Sequence, residues 1–277
     1  RVVGPLPTSV RYAFLSRSSP RPLQIHIVSI DLRDPGLSFS VVAAKDPDGT
    51  GPAETTLTAP KVLASQSDAL VAINTAAWSM LPDPVTGKTP GYVAGGKADI
   101  HGWVENAGKA ISAPEAGFWS VWMDVDDKVS IGMVPTIGEL RQRRIRAQWA
   151  VSGFAGILQD GRVLSAPSDV RHPRTAVGIT KDGNTLVWMV VDGRQRGFSE
   201  GVSEEELARL LLEAGCEQGI NLDGGGSSSL WIRDANGRPG LINRPSDVTG
   251  PRPVPVMLVV NRSGASGIGN AGRSGSR

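Results

Sequence analysis

The segment at residues 219–231, Gly-Ile-Asn-Leu-Asp-Gly-Gly-Gly-Ser-Ser-Ser-Leu-Trp, constrains the fold more than any other part of the chain. Three adjacent glycines let the backbone adopt conformations closed to other residues and approach a ligand closely. Free N–H groups in such a turn, with hydroxyls beside them, can bind an anion. The alternative interpretation is a tight turn between two strands. The predicted substrate-binding loop consists of Gly224, Gly225, Gly226, Ser227 and Ser228.

A helix and a strand are predicted immediately before this loop. Ser203 and Glu206 have the spacing of a capping box, and apolar residues recur at helical spacing from Leu207 to Ala214. Gly215 is suited to end the helix, and residues 216–222 then form a short strand. The Walker pattern is absent from the loop, which argues against a P-loop NTPase.

A β-hairpin is predicted at residues 174–194, with a turn at Asp182-Gly183-Asn184. This hairpin would bring Arg174, Asp192 and Arg194 to the same end. Such a cluster can be an ordinary set of ion pairs. It can also bind a phosphate, because the guanidinium group grips a phosphate through two parallel hydrogen bonds.

Together these segments resemble the phosphodiester glycosidase family. The resemblance rests on RTAVGIT (174–180), LVWMVVDGR (186–194), SEEELARLLLEAG (203–215) and INLDGGGSSSLW (220–231). It continues into Asn243-Arg244-Pro245-Ser246-Asp247 and Arg252-Pro253-Val254, and more weakly upstream to Asn74. Residues 75–78, Thr-Ala-Ala-Trp, depart from the glycines and aromatic residues usual in the family after this asparagine. The resemblance covers about residues 60–260.

The resemblance implies hydrolysis at an anomeric carbon whose leaving group is a phosphodiester oxygen. Glycosidases commonly use two carboxylates, and Asp192 and Asp223 are the acids available here. Which of the two acts as acid, base or nucleophile stays open, as does retention or inversion. Asp192, Asp223 and Arg174 are therefore the predicted catalytic residues. The predicted substrate-binding residues outside the glycine loop are Asn74, His172, Arg194, Asn221 and Arg252.

Composition limits the partners and cofactors. The 29 basic and 27 acidic residues nearly balance, which argues against a general nucleic-acid-binding surface. Cys216 is the single cysteine, so no internal disulfide forms, and no Cys/His cluster has the spacing of a zinc site. We therefore expect no required cofactor, with a divalent metal such as calcium left open, and a carbohydrate or sugar-phosphodiester as the partner. The sugar, its anomer and the oligomeric state stay open.

An extracytoplasmic location is predicted from the start of the chain and from the family. No stretch of 18 apolar residues predicts a transmembrane segment. The chain begins Arg1-Val2-Val3-Gly4, without a start methionine, which is compatible with an exported protein whose leader is missing. Secretion or association with the cell envelope fits a substrate that is a glycan.

The predicted fold is α+β, with a mixed or antiparallel sheet and two or three packed helices in a single catalytic domain. Strands at 23–32 and 37–44 are expected to pair across the turn at Asp34-Pro35-Gly36. The predicted organisation is N-terminal strands at 1–57, the catalytic domain at 58–260 with an insertion or lid at 82–117, and a disordered tail at 261–277. Too few helices alternate with strands for a Rossmann or TIM-barrel fold.

Three functions are compatible with these residues. The first is a glycosidase that frees a sugar from a sugar-1-phosphodiester. The second is an exported hydrolase of ordinary glycosidic bonds in a bacterial cell-wall or capsular glycan. The third is a non-catalytic glycan-binding module. The combination of Arg174, Asp192, Asn221 and Asp223 argues against it, because a binding module does not need all of these groups at one site.

Overall fold

The structure, a computed structural model, describes residues 3–264 and consists mainly of β-strands. Within these residues, twenty strands follow one another: β1 (Val10–Arg17), β2 (Leu23–Asp31), β3 (Leu37–Ala43), β4 (Thr55–Thr56), β5 (Val71–Asn74), β6 (Ala77–Met80), β7 (Lys97–His101), β8 (Val104–Asn106), β9 (Lys109–Ser112), β10 (Trp119–Asp124), β11 (Val129–Met133), β12 (Ala147–Gly153), β13 (Ala155–Gln159), β14 (Arg162–Val163), β15 (Arg174–Thr180), β16 (Thr185–Val191), β17 (Cys216–Asn221), β18 (Leu230–Arg233), β19 (Pro239–Leu241) and β20 (Val256–Arg262). Three helices accompany them: α1 (Pro60–Gln66), α2 (Ile137–Gln142) and α3 (Glu204–Glu213).

The strands form four antiparallel sheets. Seven strands lie in the order β1-β2-β16-β15-β17-β13-β14, and two five-stranded sheets have the orders β11-β10-β12-β8-β9 and β19-β18-β5-β20-β3. A small sheet contains β4, β7 and β6. With 42% of residues in strands and 10% in three small helices, the fold is β-rich, and the predicted α+β class is wrong. Many strands are too short to show a clear alternation in sequence, and they exist only because distant partners pair with them.

The predicted hairpin is confirmed, and it forms the centre of the seven-stranded sheet. Arg174 pairs with Val191 at its open end, and Ile179 pairs with Leu186 near its turn. Strand β17 pairs antiparallel with β15, so that Asn221 lies opposite Ala176. The glycine loop therefore begins at the same edge of the sheet as Arg174 and the end of β16.

The expected pairing of the two N-terminal strands is wrong. Strand β2 pairs with β1 and β16, whereas β3 pairs with β20 in another sheet. A strand buried in a two-layer core can find its partner far along the chain, and a short turn does not by itself determine the pairing. Strand β20 ends at Arg262, inside the region predicted as a tail, and residues 265–277 of that prediction lie outside the described residues.

The main core lies between the sheets and contains side chains such as Val28, Trp149, Trp188 and Leu258. Helix α3 covers the other face of the seven-stranded sheet, where Leu207 and Leu211 pack against Leu158 and Met189. Its predicted capping box is confirmed, because Ser203 accepts from the N–H of Glu206 and Glu206 accepts from the N–H of Ser203. The helix thereby begins close to the edge of the sheet where the glycine loop starts.

Residues 82–117, predicted as an insertion or lid, contain β7, β8 and β9. The stretch before β7 has no regular structure and carries the half-exposed Tyr92. Three elements meet around the glycine loop: the end of β5, the small sheet with β6, and the open end of the hairpin.

Candidate functional site

The glycine loop joins β17 to β18 and contains one 3₁₀ turn at Gly225–Ser227. Gly225 has φ 63°, a conformation that favours glycine. Its N–H donates to the carbonyl of Pro173 at 2.9 Å, and the N–H groups of Ser227 and Ser228 donate to carbonyls within the loop. The expected row of free N–H groups is therefore absent at these three positions, and both serines are buried.

Asn74 holds the loop in place from the end of β5. Its Nδ2 donates to the carbonyl of Asp223 at 2.6 Å, while its Oδ1 accepts from the hydroxyl of Thr175 at 2.8 Å and from the N–H of Ser229 at 3.0 Å. The side chain is completely buried. This predicted substrate-binding residue thus contacts the loop and the hairpin, and its amide has three protein partners.

Asp223 occupies the lip of the loop. Its N–H donates to the carbonyl of Thr75 at 2.8 Å, and its Oδ2 accepts from Nε1 of Trp78 at 3.0 Å. Burial raises the pKa of Asp223 to about 6, although contacts with Ser227 and Trp78 and the charge of Arg252 act in the opposite direction. A carboxyl group with such a pKa can accept or donate a proton near neutral pH.

Arg194 extends over the loop from the end of the hairpin. Its exposed side chain donates from Nη2 to Nδ1 of His172 at 3.2 Å, and its backbone has φ 57°, which is uncommon for a residue other than glycine. Burial lowers the pKa of His172, and the charges of Arg194 and Arg174 lower it further. His172 therefore stays neutral at neutral pH and orients the arginine without competing for an anion.

Arg252 lies on the other side of the loop. Its Nε donates to Oδ2 of Asp247 at 3.0 Å and its Nη2 donates to Oδ1 at 3.3 Å. The guanidinium carbon also lies 4.1 Å from the ring centroid of Tyr92, whose ring contacts Trp78 edge to face at 5.4 Å. The Arg252 N–H donates to the carbonyl of Gly226 at 3.2 Å. These contacts link Arg252, the glycine loop and the indole that binds Asp223.

Arg174 and Asn221 share one carboxylate at the start of α3. Oε1 of Glu204 accepts from Nη1 of Arg174 at 3.3 Å and from Nδ2 of Asn221 at 3.1 Å. The Arg174 side chain is only 13% exposed, so most of its charge faces Glu204 and the protein interior. A role for Arg174 in binding a phosphate directly stays a prediction.

Asp192 lies in a different environment from Asp223. Its Oδ1 accepts from Nδ2 of Asn243 at 2.9 Å and from the N–H of Arg244 at 3.1 Å, and its Oδ2 lies 3.5 Å from Nε2 of His26. Asn243 also donates to the carbonyl of Ser228 at 3.0 Å, so it stands between Asp192 and the glycine loop. The two predicted catalytic carboxylates therefore have different direct hydrogen-bond partners.

Three carboxylate or amide side chains of these networks were not among the predicted site residues: Glu204, Asp247 and Asn243. Asn243 and Asp247 stand in the Asn-Arg-Pro-Ser-Asp segment that contributed to the family resemblance, so a signal for them existed. Glu204 follows the helix N-cap and looks in sequence like an ordinary acidic residue of a first helical turn.

Within residues 3–264, no group of three or more His, Cys, Asp or Glu side chains is arranged to hold a metal ion. That same part of the chain contains no helix with the length and apolar character needed to cross a membrane.

The fold and the site define a class of protein: antiparallel β-sheets that present a glycine loop, a partly buried acid and two arginines at one edge. A family model described as phosphodiester glycosidase matches residues 83–261. The chain belongs to the phosphodiester glycosidase family, as the sequence resemblance predicted.

Solved structures share this fold. The catalytic domain of zebrafish N-acetylglucosamine-1-phosphodiester alpha-N-acetylglucosaminidase, auto-inhibited by its pro-peptide, is 21% identical with a TM-score of 0.64, covering 95% of this chain and 87% of that one. A hypothetical protein from Synechocystis is 16% identical with a TM-score of 0.58, covering 91% and 61%. A protein of Burkholderia pseudomallei K96243, predicted to be exported, is 16% identical with a TM-score of 0.52, covering 86% and 74%. Identities this low show the fold alone, and secretion of this chain stays a prediction.

A sequence relative covers a small part of the chain. The SPbeta prophage-derived uncharacterized protein YomE of Bacillus subtilis is 46% identical over 67 residues. That match spans 24% of this chain and only 10% of YomE. It indicates a shared segment and carries no information on the activity of the whole protein.

A substitution in the loop tests its contact with Arg194. A Cβ added at Gly225 would lie 3.0 Å from Nη1 of Arg194, and the positive φ adds backbone strain of ~1 kcal/mol. We expect Gly225→Ala to lower both the melting temperature and substrate turnover, as measured by thermal unfolding and a sugar-release assay. Gly237→Ala is the matched control, because Gly237 has φ 76° with no atom near the added Cβ. Equal turnover in the two variants would show that the loop serves only as a connector.

Proposed function

We propose that this protein hydrolyses a sugar-1-phosphodiester and releases the free sugar. The observation that carries the proposal is Asp223, an acid whose burial raises its pKa to about 6 at the lip of a loop flanked by Arg194 and Arg252. Membership in the phosphodiester glycosidase family supports the same reaction class.

Arg194 is the group best placed to hold the phosphate. Its guanidinium is exposed, lies above Gly225, and forms no ion pair with a carboxylate in the described part of the chain. Arg252 already binds Asp247 through two nitrogens, so it contributes less free positive charge. Cationic groups fixed before the reaction stabilise the negative charge that develops on a departing phosphodiester.

Asp223 then serves as the base. A phosphodiester is a good leaving group and needs little protonation, so the remaining requirement is activation of the nucleophile at the anomeric carbon. Ionised Asp223 can accept a proton from an attacking water, while Trp78 fixes the orientation of its carboxylate. The bond from the anomeric carbon to the phosphate oxygen breaks as the bond to the water oxygen forms.

The activity should depend on pH through this group. If Asp223 acts as a base, kcat/KM rises with pH through the ionisation of a group whose pKa is about 6. The measurement is a rate profile from about pH 4 to about pH 8, with the phosphodiester substrate. A rate that falls through the same range would identify Asp223 as an acid and contradict the assignment.

The contribution of Asp223 to stability should fall as pH rises, whereas the activity should rise. The folded-state pKa of Asp223 is raised above the ordinary value of ~3.9, so the folded state binds this proton more tightly than the unfolded state. Its contribution to the free energy of unfolding is full below the unfolded pKa and is lost as pH rises towards about 6. We expect the melting temperature of wild type, relative to Asp223→Asn, to fall across this range. A constant difference would contradict the raised pKa.

The substrate class is tested by a direct comparison. The protein is incubated with an α-N-acetylglucosamine 1-phosphodiester and with uncharged aryl glycosides, and released sugar is measured. Release from the phosphodiester alone supports the proposal. Release from the aryl glycosides alone supports hydrolysis of ordinary glycosidic bonds, and binding without release supports a glycan-binding module.

A further inference from the structure

A cavity of about 340 Å³ lies beside Asp192, and no residue of the glycine loop lines it. Strands β1 and β2 provide Tyr12, Phe14 and His26, and loops provide Phe198 and Arg244. Its volume is at the low end of the ~300–1,000 Å³ range of small-molecule sites, which suits a ligand with a single ring. Nothing in the proposed hydrolysis uses this cavity.

The inner end of the cavity is polar and negatively charged. Asp192 is 1% exposed and His26 is 5% exposed. The hydroxyl of Tyr12 lies 2.9 Å from Nδ1 of His26, and Nε2 of His26 lies 3.5 Å from Oδ2 of Asp192. Burial raises the pKa of Tyr12, and the charge of Asp192 raises it further, so the phenol keeps its proton. This end therefore favours uncharged groups such as hydroxyls over an anion.

The outer end of the cavity is positively charged and aromatic. The guanidinium carbon of Arg244 lies 4.8 Å from the ring centroid of Phe198, and Arg244 forms no ion pair within residues 3–264. Phe14 is 50% exposed and its ring lies 5.1 Å from that of His26. Exposed aromatic rings provide flat apolar surfaces, and a free guanidinium binds a carboxylate or a phosphate.

We propose that this cavity binds one acidic sugar, with the ring against Phe14 and Phe198 and the carboxylate or phosphate on Arg244. The change of charge from Asp192 to Arg244 favours a ligand with hydroxyls at one end and an anion at the other. Neutral sugars lack the anion, and inorganic phosphate lacks the ring and hydroxyls. Uronic acids and sugar phosphates have both.

The site is separate from the glycine loop but shares two segments with it. In residues 192–199, Arg194 lies over the glycine loop and Phe198 lines the cavity. In residues 243–252, Arg252 contacts the glycine loop and Arg244 lines the cavity. The binding proposal stands on the cavity alone and does not depend on the proposed hydrolysis.

Calorimetric titration of the full chain tests the proposal, with glucuronate, glucose 6-phosphate, glucose and inorganic phosphate as probes. We expect at least one of the two acidic sugars to bind, with glucose and inorganic phosphate about tenfold weaker or more. Arg244→Gln should raise the Kd of the acidic sugar about tenfold, and Phe14→Ala should also raise it. Arg238→Gln and Phe154→Ala are matched controls, since both residues are exposed and lie outside the cavity lining.

Asp223→Asn distinguishes this cavity from the proposed catalytic site and should leave the Kd unchanged. Loss of binding in that variant would place the ligand at the glycine loop and overturn the proposal. The absence of binding by both acidic sugars, or equal binding of glucose or inorganic phosphate, would also overturn it. If sugar release fails while this binding is observed, only the proposed hydrolysis is rejected.

Discussion

Replacing Asp223 with asparagine is expected to lower kcat by about 10²–10⁴-fold while KM changes little. The amide keeps the size of the side chain and can still accept from the indole N–H of Trp78, which lies 3.0 Å from Oδ2 in the wild type. It cannot take a proton from water. Steady-state kinetics with the phosphodiester substrate measures the effect, and thermal unfolding verifies that the variant is folded.

A structural role for Asp223 would give a different pattern, because aspartate often accepts N–H bonds in turns. Asp234→Asn is a suitable control, since the Oδ1 of Asp234 accepts from the N–H groups of Asn236 and Arg238 in a turn outside the site. A fall in stability in both variants, with wild-type turnover in Asp223→Asn, would remove Asp223 from the catalytic residues. Asp192 would then be the remaining carboxylate of the predicted pair.

Replacing Asp192 with asparagine is expected to destabilise the fold by ~3 kcal/mol, because hydrogen bonds to a charged group contribute about 1.5–3 kcal/mol each. The wild-type carboxylate accepts from Nδ2 of Asn243 and from the N–H of Arg244 in a buried position. An asparagine would place an NH₂ group against one of these donors. Thermal unfolding should show a fall in melting temperature on the order of 5–10 °C.

The same variant should retain most of its turnover below its melting temperature. The loss of stability should reach the glycine loop through Asn243, because this residue bonds both Asp192 and the carbonyl of Ser228 at the base of the loop. Asp182→Asn serves as the control, because Asp182 is an exposed turn residue at the far end of the hairpin. A kcat loss of 10²-fold or more in Asp192→Asn, without loss of stability, would restore Asp192 as a catalytic candidate.

Local patterns determined several features from the sequence alone. The capping box at Ser203 and Glu206 predicted the start of α3, and the Asp-Gly-Asn turn predicted the hairpin of β15 and β16. Both features depend on residues within a few positions of one another, so the sequence carries the complete signal. The order of these segments with the glycine loop was also sufficient to predict the family.

Only the tertiary structure decided the fold class and the arrangement of the site. The pairing of β3 with β20 joins residues more than 200 positions apart, and no local pattern encodes such a partner. Long-range contacts also pair the N–H of Gly225 with the carbonyl of Pro173. They place Glu204 between Arg174 and Asn221, and Asn243 between Asp192 and the loop. The sequence determined which polar groups are available, whereas the burial and neighbours of each group, and thus its pKa and charge balance, arise only when distant strands pack together.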